Sequence, residues 1–201
     1  MGQATREMLV DQDQVLQDTR RLAAFAAGST GGNPAGVWIG SSFPPDAVMQ
    51  EVAARVGYSE TVFAVPVEPG RVAVRYFSPV GEIAFCGHAT IALASQLFGS
   101  AAQETEIGVD TRAGRIALRH DAGKFWFATV AARIADAPAE WLDDVLAVFG
   151  WSRAQLDPVY PPMLAFAGNW HLVVALADAK DLQGMRYDMD RLIPLAAAQQ
   201  L

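Results

Sequence analysis

The sequence contains very little of several residue types that would define common functional classes. One cysteine and three histidines occur in 201 residues, which excludes a disulfide framework and makes an all-protein zinc site improbable. The 15 basic residues are outnumbered by 22 acidic ones, for a net charge of -7, which argues against nucleic acid and anionic membrane surfaces as partners. No apolar run approaches the roughly 20 residues needed to cross a bilayer.

Apolar residues, in contrast, are abundant. Hydrophobic residues make up 52% of the chain and charged residues 18%, a composition typical of a folded, core-rich protein. The length is sufficient for one large domain or two small ones. The first 18 residues are polar and predict a tail or a short solvent-exposed helix. We therefore expect a cytoplasmic enzyme or binding protein.

One apolar helix is predicted in the middle of a series of short strands. Residues 88–98 follow a turn and carry apolar side chains on every side of the helix. Such a helix is expected to be buried all round. Because turn-linked strands precede and follow it, the pattern predicts an α+β fold in which strands wrap around this helix.

Glu60 is the first candidate catalytic residue. It follows a Gly-Tyr-Ser turn and immediately precedes an apolar strand that begins at Thr61. A carboxylate at the mouth of such a strand can lose water and acquire a raised pKa, which a proton shuttle near neutral pH requires. The competing interpretation is a surface acid in a helix–strand connection.

The turn Cys86-Gly87-His88 is the second candidate site. Unpaired N–H groups of the first helical turn, Gly87 to Ala89, favour a bound carboxylate, and Gly87 would let the backbone approach the ligand closely. His88 could donate a hydrogen bond, transfer a proton or merely cap the helix. Cys86 could be a nucleophile or base with a lowered pKa, although a lone cysteine after Phe85 is more often core filler.

A faint internal repeat suggests two lobes. Residues 31–39 and 167–175 each contain a Gly-Asn turn, at Asn33 and Asn169, that leads into an apolar strand. Their separation is a sensible size for one repeat of a two-lobed protein.

Three linked motifs resemble the PhzF (phenazine biosynthesis) family of isomerases. They are Gly-Asn-Pro-Ala-Gly-Val at 32–37, Ser-Glu-Thr-Val-Phe at 59–63, and Arg-Tyr-Phe-Ser-Pro at 75–79 followed by Glu-Ile-Ala-Phe-Cys-Gly-His-Ala-Thr at 82–90. The similarity covers roughly residues 20–200. It implies the diaminopimelate epimerase-like fold, which has two lobes, each a strand barrel around a central helix, with the active site between them.

The resemblance also implies a chemistry. Glu60 falls on the family's catalytic glutamate, and His88, with Gly87, falls on its active-site histidine at the helix start. The implied reaction is a cofactor-free isomerisation of a small carboxylate, with no metal. Asn33 and Cys86 are secondary candidates. The turn also resembles that of proline racemase and diaminopimelate epimerase, but two-thiol racemisation is disfavoured because the chain has one cysteine.

The resemblance predicts three segments. These are a polar tail at 1–18, a first lobe at 19–133 with central helix 88–98, and a partial second lobe at 134–201 that lacks its central helix. Far fewer residues follow Asn169 than separate Asn33 from His88, and nothing matches the family's later Glu-Asp-Pro-Ala-Thr-Gly-Ser-Ala stretch.

Two hypotheses follow from this difference between the sequence and the family pattern. In the first, the protein is an isomerase whose second lobe is completed by a homodimer, by another chain or by further sequence. In the second, it is a non-catalytic homologue that binds a small carboxylate or serves as an interaction surface.

Overall fold

The computed structural model describes residues 11–28, 30–99, 105–199 and 201. The chain divides into two compact units, one ending at Val130 and the other comprising Ala131–Leu201. The helices of the first unit are α1 (Gln12–Asp18), α2 (Asp46–Val56) and α3 (Gly87–Phe98). Its strands are β1 (Arg20–Ala24), β2 (Asn33–Ile39), β3 (Glu60–Glu68), β4 (Arg71–Phe77), β5 (Glu82–Ile83), β6 (Thr105–Thr111), β7 (Gly114–Asp121) and β8 (Lys124–Ala128).

The strands of the first unit form one sheet that curls around α3. Their order is β1-β2-β3-β4-β6-β7-β8, with β5 paired to β4. Helix α3 contacts β1 and β2 at one end of this order and β7 and β8 at the other. Because both ends of the sheet reach the same helix, the sheet must curve around it. The predicted α+β fold, with strands wrapped around a central apolar helix, is confirmed.

Helix α3 is enclosed along its whole length, as its sequence predicts. None of its residues is exposed, and Ala89, Ala92, Leu93 and Ala94 are 3% exposed or less. Apart from His88 it contains no acidic or basic residue, so its enclosure leaves little charge to be desolvated. The predicted range of 88–98 differs from the observed one by a single residue.

The outer face of the sheet is covered by α1 and α2. Side chains alternate along the strands, so that Val62 faces α3 while Phe63 packs with Met49 of α2. Of the two expectations for the first 18 residues, a tail or a short solvent-exposed helix, residues 12–18 take the second, since they form α1. Its Val15 is buried in the same cluster as Phe63 and Met49. Residues 1–10 of the predicted tail lie outside the described residues.

An ion-pair network holds the segment that leads into α3. Arg75 of β4 binds Glu82 through two contacts of 2.8 and 2.7 Å, and it also contacts Asp46 at 2.6 Å. Arg112 reaches the same Glu82 carboxylate at 2.7 Å. The hydrogen bonds from Arg75 hold the pKa of the Glu82 carboxyl below its ordinary value. A bidentate, largely enclosed pair of this kind fixes geometry as well as adding energy.

The second unit is a small sheet packed with helices. Its strands are β9 (Arg133–Asp136), β10 (Met163–Phe166) and β11 (Trp170–Val173), and its helices are α4 (Ala139–Val148), a 3-10 turn (Arg153–Gln155), α5 (Ala179–Gln183) and α6 (Met189–Ala198). Strand β10 lies between its two antiparallel neighbours. The apolar face of α4, with Trp141, Leu142, Val145 and Leu146, packs on Leu164 of β10.

The predicted lobe boundary after residue 133 and the missing second central helix remain predictions. In the part of the chain that is described, no helix combines the length and the apolar character that a membrane span requires.

Two buried hydroxyl groups connect β4 to the start of α3. The Tyr76 hydroxyl lies 2.7 Å from Thr90 Oγ1, and Thr90 Oγ1 donates to the Cys86 carbonyl at 2.6 Å. Since Thr90 has one hydroxyl hydrogen, Tyr76 is the donor in the first bond. Burial raises the pKa of Tyr76 far above its ordinary value, so the hydroxyl keeps this hydrogen at all working pH values.

Removal of Thr90 Oγ1 is expected to cost more stability than removal of the Tyr76 hydroxyl. Tyr76→Phe loses one net hydrogen bond, or about 1 kcal/mol of the free energy of unfolding. Thr90→Val leaves the buried Tyr76 hydroxyl without this acceptor, so we expect a loss of about 1–3 kcal/mol. Urea unfolding of both variants measures the difference. Equal losses in the two variants would contradict the assigned donor direction.

Candidate active site

Glu60, Cys86 and His88 meet at the start of α3. His88 Nε2 lies 3.3 Å from Glu60 Oε2, and His88 Nδ1 lies 3.3 Å from Cys86 Sγ. Ser59 Oγ lies 3.4 Å from His88 Nε2. The imidazole ring therefore stands between the thiol and the carboxylate and contacts both.

The sheet and the central helix bring these residues together. Glu60 is the first residue of β3 and pairs with Ala35 of the parallel strand β2. Cys86 is the N-cap of α3, and His88 lies in the first turn of that helix. The first turn of the enclosed helix therefore meets the end of the sheet at which β3 begins.

The site is enclosed but still open to solvent on one side. The side chains of Glu60 and His88 retain 19% and 12% of their exposure, whereas Cys86 is buried. The carboxylate and the imidazole therefore keep contact with solvent, whereas the thiol belongs to the core around α3.

The expected lowering of the Cys86 pKa is wrong. Burial raises the pKa of the thiol to about 12, and the nearby Glu60 carboxylate raises it further, against a smaller opposite effect of the Ala89 and His88 backbone N–H groups. The cost of removing water from the thiolate is larger than the stabilisation that the N–H groups of the helix start give to it. Cys86 is thus a protonated thiol at neutral pH.

The two ring nitrogens of His88 have different neighbours. Nδ1 lies 3.3 Å from Cys86 Sγ, and Nε2 lies 3.3 Å from Glu60 Oε2. The ring thus links a buried thiol to a carboxylate that is partly open to solvent. A carboxylate has several lone pairs, so its contact with one imidazole nitrogen leaves others for a further partner.

The other predicted site residues are placed as follows. A Cβ atom at Gly87 would lie 3.3 Å from the Phe127 ring, so packing against β8 also favours glycine here. The Ala89 side chain is fully buried, and only its N–H could serve a ligand. Asn33 is the exposed first residue of β2, two positions before the partner of Glu60.

Sequence reasoning missed three residues that support the site. Ser59 reaches His88, while Tyr76 and Thr90 hold the Cys86 carbonyl. All three lie inside the motifs that carry the resemblance. Their polar side chains within apolar surroundings were the available signal.

The curled mixed sheet around an apolar helix, with a carboxylate and an imidazole at the helix start, defines the epimerase-like class of folds. The chain belongs to the phenazine biosynthesis-like (PhzC-PhzF) family, whose sequence model matches residues 22–200.

Relatives and a solved structure agree with this assignment. An uncharacterised isomerase of Deinococcus radiodurans is 34% identical over 87% of this chain and 59% of its own length. The trans-2,3-dihydro-3-hydroxyanthranilate isomerase of Pseudomonas fluorescens is 29% identical over 83% of this chain and 60% of its own length. A predicted epimerase of Pseudomonas aeruginosa shares the fold, with a TM-score of 0.75 at 23% identity, over 89% of this chain and 66% of the other.

The chain thus spans about three-fifths of the length of these two relatives.

The buried thiol is expected to be slow to react with iodoacetamide. With a pKa of about 12, only a trace of thiolate exists at neutral pH, and the alkylation rate should rise about tenfold per pH unit in the neutral to mildly alkaline range. Mass spectrometry of the quenched reaction gives the rate. The same chain in urea is the control and should react like a free cysteine with a pKa of about 8.5. Equal rates with and without urea would contradict the burial argument.

Proposed function

We propose that this protein is a cofactor-independent, cytoplasmic isomerase that moves a proton between carbons of a small carboxylate-bearing metabolite. Glu60 is the general acid/base. It takes a proton from one carbon, a double bond shifts, and Glu60 delivers a proton, which exchanges with solvent while it is on the carboxylate, to another carbon. Atoms and electrons balance within the substrate, so no oxidant or reductant is needed.

The observation that carries the proposal is the contact between Glu60 and the His88 imidazole. The 3.3 Å contact of His88 Nε2 with Glu60 Oε2 orients the carboxylate and leaves its other oxygen for the substrate. The partial enclosure of the pair limits the water that would compete for the proton. Among the described residues no arginine or lysine pairs with Glu60, so the carboxylate is not tied up in a salt bridge.

The start of α3 supplies the binding half of the proposal. The N–H groups of the first helical turn, at Gly87, His88 and Ala89, and the helix dipole together favour a carboxylate. No acidic residue lies in this turn to oppose one. Cys86 and Asn33 are secondary candidates for contacts around the substrate. The relative from Pseudomonas fluorescens is named for a substrate that carries a carboxylate.

We further infer that the protein works as a homodimer. Support comes from apolar side chains of the second unit, since Leu182, Met189 and Ile193 are more than half exposed. Met189 and Ile193 are four residues apart on α6 and so lie on one face of that helix, and an exposed apolar face is typical of an interaction surface. Sedimentation velocity over a range of concentrations tests this, and a monomer at all concentrations would point to completion by another chain instead.

Replacement of Glu60 by glutamine is expected to abolish proton transfer without loss of folding. The probe is trans-2,3-dihydro-3-hydroxyanthranilate in D2O, with solvent deuterium in the product read by mass spectrometry. Loss of a general acid/base should lower the rate by at least about 100-fold. Glu51→Gln is the matched control, since Glu51 is exposed on α2, and it should retain the rate.

The results separate this function from simple binding. Deuterium incorporation that survives Glu60→Gln would remove Glu60 from the mechanism. Binding of the probe by the wild-type chain, without deuterium incorporation, would support the non-catalytic carboxylate-binding homologue.

A further inference from the structure

Three different metal-binding atoms converge at the start of α3. The donors are a carboxylate oxygen of Glu60, the sulfur of Cys86 and an imidazole nitrogen of His88, and all lie within 4.8 Å of one another. They come from separate parts of the chain, so sequence spacing does not reveal them as a set. The fold brings them together at the edge of the core.

One pair of donor atoms already has the spacing that a tetrahedral zinc ion imposes. Zinc binds sulfur at about 2.3 Å and nitrogen or oxygen at about 2.0–2.2 Å, so neighbouring ligand atoms stand roughly 3.3–3.7 Å apart. Cys86 Sγ and His88 Nδ1 are 3.3 Å apart. Glu60 Oε2 contacts the other ring nitrogen, Nε2, so Glu60 or the ring must rotate before all three residues reach one ion. The 4.8 Å limit on the separations keeps that movement small, and a fourth position is left for water.

The surroundings of Glu60 also favour a cation. In the parts of the chain that the structure covers, no arginine or lysine is paired with Glu60. A thiol, an imidazole and a carboxylate without such a basic partner form a mixed donor set that suits zinc and cobalt and does not suit magnesium or calcium.

We propose that Glu60, Cys86 and His88 form a binding site for one borderline-soft divalent cation, with Zn²⁺ as the physiological candidate. Binding forms a metal–sulfur bond and releases the thiol proton to solvent, because a coordinated thiol is deprotonated. The metal-binding part of this proposal is independent of the proposed isomerase function.

The metal is expected to inhibit and not to assist catalysis, and this part rests on the proposed function. A metal ion bound to Glu60 uses the lone pairs that would accept the substrate proton. It also draws His88 away from its 3.3 Å contact with the carboxylate. Zinc would therefore make the isomerase sensitive to free metal and would not serve as its cofactor.

Co²⁺ is the first probe because its thiolate complexes absorb in the near ultraviolet. Cys86 is the single cysteine of the chain, so a thiolate-to-cobalt band can come from no other residue. The reduced, full 201-residue chain should give this band at one ion per chain, and Zn²⁺ should displace the cobalt. A lack of the band at saturating Co²⁺ would overturn the site, whatever happens with the variants.

Substitutions test whether the three residues act as one site. Glu60→Gln and His88→Gln should each weaken Co²⁺ binding by more than about tenfold, since loss of an outer hydrogen-bond partner of a ligand alone costs 10–100-fold. His171→Gln is the matched control, because His171 is exposed on β11, and it should bind as the wild type does. Unchanged affinity in both site variants would show an adventitious thiol complex only and would overturn the proposal.

Two further measurements complete the experiment. Circular dichroism checks that each variant is folded; if one is not, Glu60→Ala or His88→Ala takes its place. Deuterium incorporation measured with saturating Zn²⁺ and again after addition of a chelator tests inhibition. Full activity with Zn²⁺ bound would overturn the inhibitory role. A chain with no isotope exchange at all would overturn the proposed function, while the cobalt titration would still decide the metal site.

Discussion

The enclosure of α3 is the constraint on which the rest of the structure depends. A helix with scarcely a charged side chain cannot lie on a surface without exposing apolar area, and strands on opposite ends of the sheet therefore close on it. Val62, Val74 and Leu93 meet in the resulting core. The same enclosure holds the helix start in one position, beside the beginning of β3, where the His88 ring contacts Glu60.

The chemistry of the site is determined by the depth of each side chain within this core. Cys86 lies deep enough for burial to keep its thiol protonated, whereas Glu60 and His88 lie nearer to solvent. A protonated thiol is a poor base. The carboxylate is therefore the proton acceptor in the proposed mechanism, which separates that mechanism from thiol-based racemisation.

The same three side chains could serve two purposes because metal ions and protons compete for the same lone pairs. A site arranged to exchange a proton with carbon requires a carboxylate that lacks a strong cationic partner. Such a carboxylate, beside an imidazole and a thiol, is also a good ligand set for zinc. The proposed sensitivity to metal follows from the same lone pairs that the proposed proton transfer uses.

The sequence by itself determined the family, the central helix and two residues of the site. The helix over 88–98 was predictable because a helix that is apolar on every side has to be buried. Glu60 and His88 were predictable because they lie in motifs that resemble those of the family. Tertiary structure decided the rest. The contact of Glu60 with His88, the protonated state of Cys86 and the folding of residues 12–18 as α1 depend on which surfaces meet in space. Local sequence does not show which surfaces will meet, so it does not show from which side chains water will be excluded.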